Sequence, residues 1–478
     1  MITLLILLNA YFVSFTDKPE KSAPQLSERA WEQREKWGIK TDAMDYPVSP
    51  MYLNKLKEAG ASIYHYSRWF NGATVEMDAT TAAQVAQLSF VKSVEMTRDD
   101  SEPRVFMPKR RSRQLERQSA QAEMENQLAA YTDDQLNLYN LLPLHQAGFE
   151  GDGILMAICD GGFYKANTLT CFRQKLELGH FDLTDDRDGF YGSTGVHGTE
   201  CLSTISGSMT NYYGAATKAQ YYLMRSEEEE TESPKEMDNL VVALEKADSL
   251  GVNVFSVSLG YAMFDNDSWT LPKSALDGKS TRSSLAATIA ARKGMLVCVA
   301  AGNEGTDEWR TISSPADADS ILTVGAVNTN GQIGGFSSWG PSADDRVKPE
   351  VCAVGVAATL IYPSGSNGYI TTSNGTSFAT PLIAGLAATL WSALPKENAM
   401  QIRERIIRSA DRLNNPDNHY GYGIPDAWKA YQMDRPQGIE EPTFDSFLNG
   451  RAEKVLRNGQ LYILRNGTTY TVSGQKVE

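Results

Sequence analysis

The segment Asn374-Gly375-Thr376-Ser377-Phe378-Ala379-Thr380-Pro381 runs directly into Leu382-Ile383-Ala384-Gly385-Leu386-Ala387-Ala388-Thr389-Leu390-Trp391. The second run is apolar nearly all round, which predicts a helix buried on every side. Ser377 then stands at the mouth of a core helix, where unpaired backbone N–H groups and the positive end of the dipole gather. A serine oxygen there can attack a carbonyl while those donors receive the oxyanion. Pro381 is expected in the first turn, where a helix accepts proline. Taken alone, a serine at a helix start is most often a cap. The segments upstream reverse that reading.

From Gly151 onward strands alternate with helices. Ile154 to Ile158 is a short apolar strand ending in Cys159-Asp160-Gly161-Gly162, and Ala219 to Met224 is another. Met237, Leu240, Val241, Leu244 and Ala247 trace one helix face closed by Gly251, followed by strand Val252 to Ser256. Leu285 to Lys293 repeats the pattern, closed by Gly294 and followed by strand Met295 to Ala300; Ile321 to Val327 adds one more. A glycine after each helix and a β-branched run after each glycine predict an α/β fold. The expected architecture is a doubly wound, mostly parallel sheet over residues 133–433.

Ahead of it, residues 11–98 read as a small α+β, ferredoxin-like domain. Tyr11 to Thr16 is a strand, Ser27 to Trp37 a charged helix capped by Ser27, and Met51 to Ala59 a helix stopped by Gly60. Strands Ser62 to Trp69 and Ala73 to Met77 flank Asn71-Gly72, a tight-hairpin signal. Helix Thr80 to Leu88 and strand Val91 to Met96 complete a split βαβ order. Residues 99–132 form a basic and polar linker carrying Lys109-Arg110-Arg111-Ser112-Arg113, the kind of exposed segment that proteases cut. Residues 434–478 lose the helical pattern. Asn458-Gly459 and Asn466-Gly467 mark turns of a small β meander, with Gln460 to Leu464 and Thr468 to Val472 as strands.

The 478-residue chain has 41% hydrophobic residues and a net charge of −14. That supports a large core and argues against nucleic acid as a partner. The run Ile2 to Leu8 is too short to span a membrane and resembles the apolar region of a secretory signal, so residues 1–10 are read as a possible signal segment and the protein as exported. No other stretch is long enough for a membrane span. Five cysteines, an odd number without any C-x-x-C, predict neither a disulfide scaffold nor a zinc site. The run Glu227 to Glu230 with Glu232 reads as a solvated loop. Asp182, Asp185, Asp186 and Asp188 are compatible with structural calcium, but they lack the EF-hand spacing and its closing glutamate. No metal or cofactor is therefore expected to be required.

Three more segments join Ser377. Asp160 follows a buried strand, His197 sits in Gly195-Val196-His197-Gly198-Thr199-Glu200-Cys201, and Asn303 sits in Ala300-Ala301-Gly302-Asn303 at a strand end. In a parallel sheet such strand ends converge on one crevice. A serine needs a base, an imidazole supplies it, a carboxylate fixes the imidazole tautomer, and an amide can donate to the oxyanion. The chain order Asp, His, Ser is the one found in subtilisin.

These motifs resemble those of the subtilases, the subtilisin-like serine proteases. The resemblance rests on D-G-G at Asp160, H-G-T at His197, S-V-S-L-G from Ser256 to Gly260, A-A-G-N from Ala300 to Asn303, N-G-T-S-F-A-T-P around Ser377, and Y-G-Y-G-I-P-D-A from Tyr420 to Ala427. It departs at Glu200, where many subtilases carry a second histidine, and at Gly161-Gly162, where Ser/Thr-Gly is commoner. The resemblance implies a triad of Asp160, His197 and Ser377, with Asn303 as the oxyanion-hole side chain. It also implies cleft walls at Ser258-Leu259-Gly260 and Ala300-Ala301-Gly302, against which a protein or peptide substrate lies as an added strand. It implies further that the first domain is an inhibitory propeptide, itself a partner of the catalytic domain. The tail from about Ser446 resembles the C-terminal sorting tails of proteins exported by Gram-negative type IX secretion. The reading is a secreted serine endopeptidase made as a zymogen. Its alternatives are a catalytically silent peptide-binding protein of the same fold and a transpeptidase.

Overall fold

The computed structural model describes residues 8–19, 22–100, 131–172, 176–184, 189–192, 195–228 and 231–433, together with the strands of a separate C-terminal unit between 453 and 477. The linker with its basic run, the first seven residues, and Asp185, Asp186 and Asp188 lie outside the described residues.

The N-terminal domain forms β1 (Asn9–Phe15), α1 (Glu28–Trp37), α2 (Pro50–Glu58), β2 (Ser62–Ser67), β3 (Gly72–Met77), α3 (Ala79–Val85) and β4 (Val91–Arg98). Its four strands lie in the order β2-β3-β1-β4, all neighbours antiparallel. β1 begins at Asn9, two residues before its predicted start, because Asn9 pairs with Met77 and Ala10 with both Glu76 and Arg98. Tyr11, Val13, Phe15, Leu56, Val75, Met77 and Val85 fill the core. The predicted tight hairpin at Asn71-Gly72 is wider than expected, since β2 stops at Ser67. The cause lies outside the domain: the N–H groups of Arg68 and Trp69 donate to the Glu245 carboxylate at 2.9 and 3.1 Å instead of entering the ladder.

The larger domain continues with α4 (Asp133–Asn137), α5 (Leu142–Gln146), β5 (Leu155–Asp160), β6 (Glu177–Asp182), α6 (His197–Ser206), a two-residue hairpin of β7 (Ser208–Met209) and β8 (Tyr212–Tyr213), β9 (Gln220–Arg225) and α7 (Pro234–Leu250). Then come β10 (Val254–Val257), α8 (Arg282–Arg292), β11 (Leu296–Ala300), β12 (Leu322–Val327), β13 (Val351–Val354), a hairpin of β14 (Ala358–Tyr362) and β15 (Tyr369–Ser373), α9 (Thr376–Ala393), α10 (Ala399–Ser409) and α11 (Ala427–Gln432). Seven strands make one parallel sheet in the order β13-β12-β11-β10-β5-β9-β6. The predicted α/β, doubly wound sheet is thus the fold observed.

Alternation along the strands splits the core in two. Met156 and Ile158 of β5 face α6 and α9, whereas Leu155, Ala157 and Cys159 face α7 and α8. Helix α9 is buried from Thr376 to Trp391, as its apolar sequence requires. Helix α7 ends on Gly251 at φ 74°, and a Cβ there would lie 2.8 Å from the Ala30 nitrogen of the N-terminal domain. That glycine is therefore required both by the left-handed cap and by the neighbouring helix α1.

The N-terminal domain contacts α7 and α8 through ion pairs, most of them buried. Arg34 bridges Asp45 of its own domain and Asp248 of α7, each at 2.8 Å. Arg68 also reaches Asp248, Lys293 reaches Asp45 at 2.8 Å, and Arg282 reaches Asp238 at 2.8 Å and Glu95 at 2.5 Å. Arg29 donates to the carbonyls of Gly251 and Gly153, placing a cation at the negative end of the α7 dipole.

The C-terminal unit, by itself, is an antiparallel meander of β16 (Glu453–Arg457), β17 (Gln460–Arg465), β18 (Thr468–Thr471) and β19 (Lys476–Val477). Arg457 faces Gln460 and Arg465 faces Thr468, so each predicted Asn-Gly falls between paired strand ends. No helix among the described residues is long and apolar enough to cross a membrane.

Candidate active site

Three adjacent strands, β11, β10 and β5, deliver Asn303, Ser258 and Asp160 to the same edge of the sheet through their C-terminal ends. Helix α6 brings His197 as its first residue. Its approach depends on Gly198, where a Cβ would stand 2.8 Å from Asp160 Cβ. Helix α9 packs across β10 to β13 and presents Ser377 as its second residue.

His197 Nδ1 and Asp160 Oδ1 are 2.7 Å apart, and the same oxygen accepts the Gly161 N–H at 2.8 Å. Asp160 is 1% exposed, whereas the His197 side chain is 34% exposed. The carboxylate is thus sequestered and the imidazole can be reached from solvent. Burial works against the imidazolium, but the Asp160 carboxylate outweighs it and holds the ring pKa well above 6.5. Burial pushes the Cys201 thiol up to about 11, against the pull of His197. Cys201 is therefore protonated near pH 7.

Ser377 is flanked by two residues that touch the ring. Its neighbour Phe378 has its ring centroid 5.4 Å from that of His197, and Cys201 Sγ touches both His197 and the Ser377 main chain. Among the described residues Ser377 Oγ makes no hydrogen bond to His197. Such bonds are often long before substrate arrives. Asn303 Oδ1 accepts from the Thr376 N–H at 2.8 Å and from Thr376 Oγ1 at 3.1 Å. Those bonds fix the orientation of the amide, leaving its NH₂ directed away from Thr376 and available as a donor.

The two predicted walls differ. Ser258 and Leu259 are half-buried and Gly260 is exposed. The other wall is tied within the protein: Ala301 N–H bonds Val324 at 3.0 Å, Gly302 N–H bonds Thr376 Oγ1 at 3.2 Å, and Ala300 is 4% exposed. Burial raises the Glu304 carboxyl pKa, although Ser338 Oγ and the Asn303 N–H both donate to it.

Pro381 departs from expectation. Helix α9 starts at Thr376, so the proline lies in the second turn and not the first. Its missing N–H would have bonded the Ser377 carbonyl four residues back. That carbonyl instead accepts from Ser258 Oγ at 2.8 Å and from Cys201 Sγ at 3.2 Å. Sequence reasoning missed Cys201, the Ser258 hydroxyl and the role of Thr376. Two signals could have found them: a proline four residues after the serine, and a cysteine four residues after the histidine on one helix face.

Two sets of three potential metal ligands gather within 4.8 Å among the described residues: Asp160 with His197 and Cys201, and Glu227 with Glu232 and Glu236. In the first set Asp160 and His197 bond one another and the thiol is neutral. In the second, Glu227 accepts from Tyr261 and Glu236 from the N–H groups of Glu228 and Ser233. Of the predicted aspartate cluster, Asp182 accepts from Thr184 and lies 3.7 Å from Arg225. All five cysteines are buried and none forms a disulfide.

Residues 151–423 match the subtilase family of S8 peptidases, more than half of the chain. The chain belongs to the subtilase family. Residues 10–116 match the S8 peptidase propeptide domain of Bacteroidota. Subtilisin E of Bacillus subtilis is 29% identical over 290 residues, 60% of this chain and 68% of that protein. Subtilisin DY of Bacillus licheniformis is 33% identical over 234 residues, 48% of this chain and 74% of that protein. The crystal structure of MycP1 from Mycobacterium smegmatis shares the fold with a TM-score of 0.54 at 22% identity, covering 67% of this chain and 90% of that one. The protein is a subtilisin-like serine endopeptidase with an N-terminal propeptide domain.

Proposed function

We propose that Asp160, His197 and Ser377 are the catalytic triad of this endopeptidase, that Asn303 donates to the oxyanion, and that the chain is made as an exported zymogen. The observation that carries this reading is the 2.7 Å contact between buried Asp160 and accessible His197 beside the helix that bears Ser377. His197 takes the Ser377 proton as Oγ attacks the scissile carbonyl, and Asp160 holds the ring tautomer and stabilises the imidazolium. The Asn303 NH₂ meets the negative charge that develops on the carbonyl oxygen. Ser258 to Gly260 offer backbone to an extended substrate, with the second wall contributing carbonyls and shape.

The propeptide chain leaves β4 beside the site. Arg98 Nη1 donates to Glu228 at 3.2 Å, and Ser226, two residues earlier, donates its N–H to the Asp160 carbonyl at 3.2 Å. The first cut is expected between Arg98 and Gln127. Export and a sorting role for the C-terminal meander belong to the same proposal.

The test is labelling of the purified protein with a fluorophosphonate and mapping of the modified residue, which should be Ser377. In parallel, Ser377→Ala expressed alone should accumulate uncut through the linker. Label on another residue overturns the triad; processing of Ser377→Ala at the wild-type bond and rate assigns maturation to another protease.

A further inference from the structure

We propose that Cys201 is a positioning residue that ties the nucleophile and its base into one unit. The proposal rests on the triad reading above. It begins with Pro381, which leaves the Ser377 carbonyl without its usual helical donor. Two side chains from different elements fill the gap, Ser258 after β10 and Cys201 on α6. The Cys201 sulfur also lies 3.9 Å from His197 Nδ1 and 4.0 Å from Nε2. Near-equal distances describe packing against the ring and not a directed bond to one nitrogen. The single S–H is directed at the Ser377 carbonyl, 3.2 Å away.

One side chain therefore touches the imidazole and the main chain of the nucleophile at once. Cys201 is 0% exposed, so neither water nor solvent cations compete for the contact. It remains a donor through the working pH range because burial keeps the thiol protonated to about 11. His197 and Cys201 lie four apart on α6, so a movement of that helix turn carries the ring and the tether together. The spacing between Ser377 and His197 is then set by the α6–α9 contact at this point, where a small displacement of reacting groups has a large effect on rate.

The experiment compares Cys201→Ala, Cys201→Val and Cys201→Ser, each made as the full chain and purified after its own processing. Saturating labelling rate and half-saturation concentration are measured with an alkyl fluorophosphonate, and folding by thermal melting. Loss of the donor should lower the saturating rate about fivefold in the Ala and Val variants, the weight of one hydrogen bond. The half-saturation concentration should not change. Cys201→Ser keeps a donor and should recover most of the loss. Ser258→Ala combined with Cys201→Ala should lose more than the product of the single losses, since both serve one carbonyl.

A wild-type rate in folded Cys201→Val would reduce the thiol to a space-filler and overturn the proposal. Equal labelling of all variants overturns the tether alone, whereas failure of the wild type to label at Ser377 overturns the triad reading with it. If none of the three variants folds, the residue is structural and the proposal falls.

Discussion

Helices α7 and α9 lie on opposite faces of the same sheet, are of similar length, and are both largely buried, yet they are buried by different chemistry. Around α9 the cover is apolar: Leu382, Ile383, Leu386 and Leu390 are 0% exposed within one continuous core. On α7 the sheet-facing stripe is apolar, but the outer face carries Lys235, Glu236, Asp238, Glu245 and Asp248, all buried. Arginines from the propeptide domain reach Asp248 of that face, and the Ser67 hydroxyl with the Arg68 and Trp69 N–H groups satisfies Glu245. An apolar face must stay covered. A charged face can return to water at little cost, provided its partners leave with it. The character of the burying surface thus separates a permanent contact from a dissociable one.

The most damaging test of that contrast removes one charge from the dissociable side. Arg34→Met removes the bridge between Asp45 and Asp248, leaving each with one remaining cation, and Arg34 itself is only 3% exposed. Breaking one partner of a buried pair costs about 3–5 kcal/mol. The cleaved propeptide should leave far faster, measured as the time lag before peptidase activity appears, while the melting of the propeptide-free enzyme should not change. An unaltered lag would mean that the ionic face does not hold the propeptide.

On the permanent side, Leu386→Ala should destabilise the catalytic domain by about 2–5 kcal/mol in denaturant unfolding. Here the propeptide-free enzyme should show the loss, the reverse of Arg34→Met.

The head of α9 belongs to the rigid side, which sharpens a third expectation. Asn303→Leu should fold normally and lose about 10²–10³ in kcat, the range known for the corresponding donor of subtilisin. Thr376 loses its partner in that variant, so a small drop in melting temperature is expected too. A wild-type kcat would place the oxyanion elsewhere.

The smallest effect concerns proton balance. The general base must be neutral, and Asp160 holds the His197 pKa well above 6.5. Activity should therefore rise with pH through that raised value, putting the acid limb of kcat/KM above about 6.5. Stability runs the other way: a pKa raised by folding stabilises fully below about 6.5 and less as pH climbs through the raised value. An acid limb at or below the ordinary histidine value contradicts the assignment.

Much of this contrast was legible in the sequence. The apolar run after Ser377 announced α9, and the glycines at 251 and 294 announced the ends of α7 and α8, because local patterns determine both. The strand-end motifs pointed Asp160 and Asn303 to one crevice through a rule of parallel sheets, whereas His197 comes from the start of a helix. Features depending on contacts between distant elements were not legible. The hairpin at residues 68–71 widens because Glu245, far along the chain, takes its N–H groups. Pro381 falls deeper in α9 than expected because Ser258 and Cys201 compensate for it. The closed backbone of Ala301 and Gly302 likewise depends on Val324 and Thr376.

No cysteine precedes Cys159, and none of the five is in a disulfide. No disulfide therefore joins the propeptide to the rest, and the backbone through the linker carries the connection. Before that strand is cut, the two domains meet at a fixed local concentration that dilution cannot alter. Once cut, as proposed above, they would be two molecules under mass action, and each tenfold dilution would take about 1.4 kcal/mol from their association. Under the proposed maturation, dilution would then help decide when the cleft is freed.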